Sequence, residues 1–347
     1  MKTLRIGTIG AGWVAQDCHM RSYREVADVE LVAACDTNPK TRKRTEERWG
    51  IRTYKDWADM LAAEKLDAVS VCTPNSFHAL AAVDAMRAGC HVLCEKPMCI
   101  TGREADRMVE TAKATKRVLM VAFNQRFNSD SQLLKSMIEK GDLGDIYYAK
   151  TQWLRRRGIP GAGGWFTTKK LSGGGPLIDL GVHMLDLTMW MMGNPKPVTV
   201  SGAAFSEFRR LVPKKSGTFD VEDMAAGFVR FANGASLTIE ASWASNVKKE
   251  IVSTQLFGDK GGVLMGHNLD SGKSLEIFAE RDGALVDIAP MPGRNVDSYV
   301  AEVSHFIECI RKRKTPLATG QHGRYVTKII EGLYKSSDRG REVKLDL

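Results

Sequence analysis

Thr3-Leu4-Arg5-Ile6-Gly7-Thr8-Ile9 is a short β-rich run that passes at once into Gly10-Ala11-Gly12-Trp13-Val14-Ala15 and a helical stretch. Strand, glycine turn and helix in this order read as the opening of a nucleotide-binding βα unit. In the pattern G-x-G-x-x-A, Gly10 permits the tight turn and Gly12 lets the backbone approach a pyrophosphate. The small Ala15 lets helix and strand lie close, with the helix N-terminus receiving negative charge. A second strand, Glu30 to Asp36, ends in an acid at the separation expected for a group that binds the adenosine ribose hydroxyls. Asp36 also repels a 2′-phosphate, so the expected cofactor is NAD rather than NADP. Lys40, Arg42, Lys43 and Arg44 follow closely and either soften that preference or form a solvated helix face.

Alternating units continue. Ala68 to Cys72 is an apolar strand ending at Thr73-Pro74-Asn75, with a helix through Ala88; His91 to Cys94 is the next, ending at Glu95-Lys96-Pro97; Val118 to Phe123 is another. Repeated strand-helix-strand order implies a parallel sheet with right-handed crossovers, whose ligands lie beyond the carboxyl ends of the strands. Asp36, Thr73, Asn75, Glu95, Lys96 and Asn124 all fall at those ends. A lysine held there can hydrogen-bond a substrate hydroxyl and lower its pKa.

A second constellation lies in Gly173-Gly174-Gly175-Pro176-Leu177-Ile178-Asp179-Leu180-Gly181-Val182-His183-Met184-Leu185-Asp186. Proline just inside the start and Gly193 past the end predict a helix from about Pro176 to about Met192. It is apolar nearly all round, hence buried, yet Asp179, His183 and Asp186 recur at i, i+4, i+7 on one stripe. Buried charge without a partner costs several kcal/mol, so the stripe faces a cavity, a partner or a ligand. The glycines open the helix start to close approach.

The rest of the chain narrows the class. Its 347 residues suffice for two domains with cores of their own, and no apolar run approaches the ~20 residues that span a bilayer. Met1-Lys2 and the apolar residues after it imitate a secretion signal but form the first strand of the nucleotide fold. Seven cysteines, an odd number, fit a reduced compartment, and Cys90, Cys94 and Cys99 lack metal-ligand spacing, so no metal is expected. The net charge of +9 is scattered, as at Arg209-Arg210 with Lys214-Lys215, without the aromatic interleaving of a nucleic-acid surface. Arg155-Arg156-Arg157 ends a strand, and alternation sends Arg155 and Arg157 to the side of Trp153. These arginines are either substrate contacts or surface groups. As contacts, they imply a ligand with a carboxylate, a phosphate or a dense ring of hydroxyls, and Trp165 nearby then offers it an apolar face.

After a domain switch near Asn124 to Phe127, a helix is expected over 132–140 and strands over 147–153, 198–205, 224–231, 235–243 and 251–258, with Asn233-Gly234 marking a hairpin. An amphipathic helix follows at 299–310 and a final helix at 324–336.

These motifs together resemble the glucose-fructose oxidoreductase, inositol dehydrogenase and rhizopine-catabolism (Gfo/Idh/MocA) family. The likeness rests on the glycine turn, Asp36, Cys72-Thr73-Pro74-Asn75 with His78, Glu95-Lys96-Pro97, Asn124 to Phe127 and the Asp179-x-x-x-His183-x-x-Asp186 helix, in order over essentially the whole length. It implies an α/β chain: an N-terminal Rossmann doubly wound parallel sheet over 1–124, and over 125–347 a C-terminal α/β domain with a large, mostly antiparallel sheet for substrate binding and oligomerisation. It also implies an NAD site of Gly10, Gly12, Trp13, Val14, Asp36, Thr73, Pro74, Asn75, His78, Glu95, Lys96 and Asn124, and a catalytic set of Lys96, Asp179 and His183. Arg155, Arg157, Trp165 and Tyr299 are the further substrate candidates.

The expected enzyme is an NAD-dependent dehydrogenase that interconverts a secondary ring alcohol and ketone of a sugar, glycoside or inositol-like polyol. His183 acts as base, since histidine ordinarily titrates near neutrality, and Lys96 stabilises the alkoxide. Asp179 hydrogen-bonds the same substrate or tunes the histidine. The alternatives are an NAD-dependent glycosidase working by transient oxidation, and a sugar-sensing regulator that has lost the chemistry. A cytoplasmic homodimer or homotetramer is expected, without membrane or nucleic-acid partners.

Overall fold

A computed structural model describes residues 2–161, 163–213, 217–267, 269, 271–272, 274–291 and 296–347, and the chain divides into two compact units. The first comprises residues 1–127 with 296–324, the second 128–295 with 325–347.

The first unit contains six strands: β1 (Leu4–Ile9), β2 (Val29–Cys35), β3 (Arg52–Tyr54), β4 (Ala68–Val71), β5 (His91–Cys94) and β6 (Leu119–Val121). Their order is β3-β2-β1-β4-β5-β6 with every pair parallel. All four residues of β4 are buried, as in sheets covered on both faces. The strand order reverses between β1 and β4, and the glycine turn leaves β1 at that point. Gly10 has φ +88°, and a Cβ there would lie 2.5 Å from the Cys72 carbonyl oxygen, so only glycine lets the turn rest against the end of β4. The following helix opens with a π-helical stretch, Val14–Met20, and continues as Arg21–Arg24.

Residues 296–324 pack with the first unit. The helix Ser298–Lys312 buries Val303, Phe306, Ile307 and Cys309, and packs on Val14–Met20, Arg21–Arg24 and Asn124–Phe127. Asp297 caps it, accepting from the Tyr299 and Val300 N–H groups and pairing with Arg21 at 2.7 Å. By packing, residues 296–324 thus go with the first unit: an amphipathic stripe says that a helix is covered, not what covers it.

Among the described residues the second unit holds a nine-stranded sheet, mixed but mostly antiparallel. Its strands are β7 (Ile146–Leu154), β8 (Pro197–Phe205), β9 (Met224–Phe231), β10 (Ser236–Ser242), β11 (Ile251–Gly258), β12 (Gly261–His267), β13 (Leu275–Arg281), β14 (Ala284–Ile288) and β15 (Val343–Lys344). They run β14-β13-β12-β11-β7-β10-β9-β8-β15, and among the described residues only β7 and β10 pair in parallel. The glycine-led helix is π-helical over Leu177–Gly181 and α-helical over Val182–Met191. It lies on β7 and β10, where a Cβ on Gly181 would already touch Ala241 at 3.3 Å. No helix among the described residues is long and apolar enough to cross a membrane.

Candidate active site

In the first unit the carboxyl ends of the strands carry a prepared cradle. Asp36, just beyond β2, is fixed by two backbone donors: Ala11 N–H to Oδ2 at 3.1 Å and Asn38 N–H to Oδ1 at 2.8 Å. The acid is thereby tied to the glycine turn. Gly12 is exposed with nothing within 4 Å of a Cβ position, and Trp13 beside it is 67% exposed. Two buried polar atoms at the strand ends, Thr73 Oγ1 and Asn124 Oδ1, have no hydrogen-bond partner among the described residues. Each such atom costs about 1–3 kcal/mol unless a ligand satisfies it. Open glycine, tethered acid and unsatisfied polar atoms fit a dinucleotide.

Below Lys96 lies a buried polar chain. His19 places Nε2 2.9 Å from Glu95 Oε1 and Nδ1 3.0 Å from Ser70 Oγ, which in turn meets the Tyr23 hydroxyl at 2.9 Å. Glu95 Oε2 accepts the Lys96 backbone N–H at 3.0 Å. Burial favours the neutral Glu95 carboxyl, but the His19 bond and the charges of His19 and Lys96 outweigh it and hold the group below the usual carboxylate range. Tyr299 joins this cluster from its own helix, hydrogen-bonded to Cys18, and burial pushes its hydroxyl upward. His78 is turned inward. Its ring is buried, with Nδ1 2.7 Å from the Pro97 carbonyl and Nε2 2.8 Å from the Thr73 carbonyl. It ties two strand ends together.

In the second unit every residue over 177–191 is buried except Asp179 and His183. The expected stripe thus opens at two of its three members, and Asp186, only 1% exposed, stays inside. Trp243, fully buried at the end of β10, donates from Nε1 to Asp179 Oδ2 at 2.9 Å. The Trp153 ring lies 6.0 Å from the His183 ring, and its Nε1 donates to Glu250 Oε1 at 2.8 Å. Trp165 stacks on Phe166 at 3.9 Å, and Phe166 packs against the core of Leu180, Phe219 and Trp243.

The glycines at the helix start do admit close approach, but of the protein's own groups. A Cβ on Gly174 would fall 2.1 Å from the Tyr334 hydroxyl, and one on Gly175 would fall 2.0 Å from the Glu222 carbonyl oxygen. The Glu222 carboxylate caps the helix, accepting from Gly175 N–H at 2.9 Å, Leu177 N–H at 3.2 Å and the Tyr334 hydroxyl at 2.7 Å.

The arginines are also differently engaged than an anion site requires. Arg155 pairs with Glu250 at 3.1 Å. Arg157 donates to the Ser245 carbonyl at 2.9 Å and to Asn246 Oδ1 at 3.1 Å, with its guanidinium 4.8 Å from the Phe208 ring centre. Lys214 and Lys215 lie outside the described residues. His19, Glu222, Trp243 and Glu250 were missed by sequence reasoning. Only His19 carried a signal, as a polar member of the buried Ala15-Cys18-His19 face.

Comparison with known proteins agrees with both halves. Residues 4–123 match the oxidoreductase family, NAD-binding Rossmann fold, and residues 135–345 match the oxidoreductase family, C-terminal alpha/beta domain. D-glucoside 3-dehydrogenase of Escherichia coli K12 is 35% identical over 99% of this chain and 97% of its own length. Myo-inositol 2-dehydrogenase of Thermotoga maritima is 26% identical over 99% of each chain. Among solved structures, the aldose-aldose oxidoreductase of Caulobacter crescentus, complexed with glycerol, superposes with a TM-score of 0.83 at 26% identity, over 99% of this chain and 100% of that one. With both domains matched in order and a relative aligned along the whole length, this protein belongs to the Gfo/Idh/MocA family of oxidoreductases and carries that family's NAD-binding domain.

Proposed function

We propose that this enzyme oxidises a secondary ring hydroxyl of a sugar, glycoside or cyclic polyol to the ketone, or runs the reverse reaction, with D-glucosides as the first substrates to test. The observation that carries the reading is the otherwise buried helix over 177–191 that leaves only Asp179 and His183 open. Its relatives' names, a glucoside 3-dehydrogenase and an inositol dehydrogenase, support the substrate class. Gly10, Gly12, Asp36, Thr73 and Asn124 would hold the dinucleotide, which when bound supplies the hydride acceptor. Lys96 donates a hydrogen bond to the reacting hydroxyl and stabilises the alkoxide as it forms. His183 takes the hydroxyl proton at Nε2, since Nδ1 is buried. Asp179, its orientation fixed by Trp243, hydrogen-bonds the substrate beside that proton transfer.

The test is NADH formation by purified protein with a panel of D-glucosides, free aldoses and inositols. Lys96→Met and His183→Ala are expected to lower kcat by about 10²-fold or more while NAD affinity is retained. Turnover like the unaltered protein's in either variant would overturn the assigned roles. Glycoside cleavage without NADH accumulation would instead mark transient oxidation.

A further inference from the structure

We infer that the Arg155–Glu250 pair makes the substrate wall of the second unit selective for neutral polyhydroxyl rings over anionic sugars, with Glu250 as the specificity-determining residue. The inference deepens the dehydrogenase reading and rests on it.

The pair is built by strand register. In the antiparallel β7–β11 ladder Leu154 faces Ile251 and Trp153 faces Val252, so one step further Arg155 and Glu250 stand opposite each other on the face that carries Trp153. Glu250 Oε1 receives two donors, Trp153 Nε1 at 2.8 Å and Arg155 Nε at 3.1 Å. The Arg155 guanidinium also lies 5.4 Å from the Trp153 ring. Since the Trp153 ring lies 6.0 Å from that of His183, the wall runs outward from the proposed base as imidazole, indole, carboxylate and guanidinium.

Three consequences follow from charge and exposure. The Arg155 charge is matched by its partner, whereas Arg156 and Arg157 are turned to neutral groups, the Lys248 carbonyl for the one and the Ser245 carbonyl and Asn246 amide for the other, so the arginine beside Trp153 already holds a carboxylate. The more open member of the pair is the acid: the Glu250 side chain is 41% exposed and that of Arg155 27%. A ligand therefore meets an acceptor first, which takes hydrogen bonds from sugar hydroxyls and repels a uronate. The indole beside it suits the apolar face of a pyranose ring, and adjacent hydroxyls match a carboxylate acceptor next to guanidinium donors.

The experiment is calorimetric titration of the NADH-loaded enzyme with methyl β-D-glucopyranoside and with the corresponding methyl glucosiduronate. The unaltered protein is expected to bind the neutral ring at least tenfold more tightly. Glu250→Gln keeps an amide oxygen for Trp153 and Arg155 but frees the arginine's charge, and should shrink the neutral-to-anion ratio about tenfold. Arg155→Gln leaves the acid unmatched and should enlarge it. Opposite shifts from the two variants are not produced by a merely structural pair. Shifts in the same direction, an unchanged ratio, or tighter uronate binding by the unaltered protein would overturn the inference. So would a ratio governed by the exposed Lys248 and Lys249 of the same loop, read from a Lys248→Gln/Lys249→Gln double variant. Binding of neither sugar by an enzyme that still forms NADH from another sugar or polyol would overturn the inference alone, whereas no NADH formation with any member of the panel would remove the dehydrogenase reading beneath it.

Discussion

Trp243 Nε1 and Asp179 Oδ2 are joined at 2.9 Å by a hydrogen bond from a fully buried indole to a carboxylate on the open stripe of an otherwise buried helix. The bond fixes which way the acid faces. A hydrogen bond to a charged group contributes about 1.5–3 kcal/mol, so Trp243→Phe, which keeps a ring in the core but lacks the donor, should lower unfolding stability by about that much. It should also reduce kcat about tenfold, ~1.4 kcal/mol of transition-state stabilisation, with little change in the KM for NAD. Denaturant unfolding and steady-state kinetics check both; an unchanged kcat would mean that Asp179 is oriented by other contacts.

Gly175 lies where the helix start meets Glu222. Gly175→Ala puts a Cβ 2.0 Å from the Glu222 carbonyl oxygen, and backbone cannot yield as a flexible side chain can. Overpacking of this kind costs about 1–3 kcal/mol, and displacing Glu222 also weakens the cap on the helix that carries His183. The unfolding midpoint should fall and kcat should drop with it, whereas alanine at the exposed Gly12, with nothing within 4 Å, should leave stability nearly unchanged. Equal stability of the two variants would refute the close-approach account.

These two contacts show where sequence reasoning stopped. The local chemistry of Gly10, Asp36 and the β1 to β6 alternation is written in neighbouring residues, and the strands over 224–231 and 251–258 fall where turn signals and apolar runs place them. Glu222, Trp243 and Glu250 meet their partners across 45 or more residues, and nothing in their own surroundings marks the encounter. β12 to β14 lay beyond the strands expected, although Asp282 and Gly283, at φ 53° and 76°, form a readable Asp-Gly hairpin turn. The glycines before the helix announce close approach in the sequence itself; what approaches is set by the tertiary structure.

Cofactor choice turns on Asp36. Its carboxylate is tethered to Ala11 and Asn38, while Arg42, one of the cations that follow it, places Nη1 on the carbonyls of Asp36 and Thr37 at 2.8 and 3.0 Å. Asp36→Ala should raise the KM for NAD about tenfold and narrow the preference over NADP, because a ribose acceptor and a phosphate repeller are lost together. The measurement is kcat/KM with each cofactor, and equal efficiency with both in the unaltered protein would sink the assignment.

Acid sensitivity should come in part from His322. Its Nδ1 accepts from the Thr319 N–H at 3.3 Å and lies 3.3 Å from Nη1 of Arg126, a fully buried guanidinium that also donates to the Leu317 carbonyl. Burial first, and then the Arg126 charge, push its pKa down from 6.5 to about 4. As pH falls below about 6.5 the unfolded chain takes up a proton that the folded protein refuses until about pH 4. Stability contributed by neutral His322 is therefore complete above that window and lost on descending through it. His91, also lowered to about 4, by burial and then by Arg117, acts in the same direction. His322→Gln retains an acceptor for Thr319 but cannot titrate. Its urea midpoints between pH 4 and 7 should decline less steeply than those of the unaltered protein, by up to one proton's share of the slope. Parallel curves would show that the folded protein accommodates a charged His322 beside Arg126, contrary to the geometry.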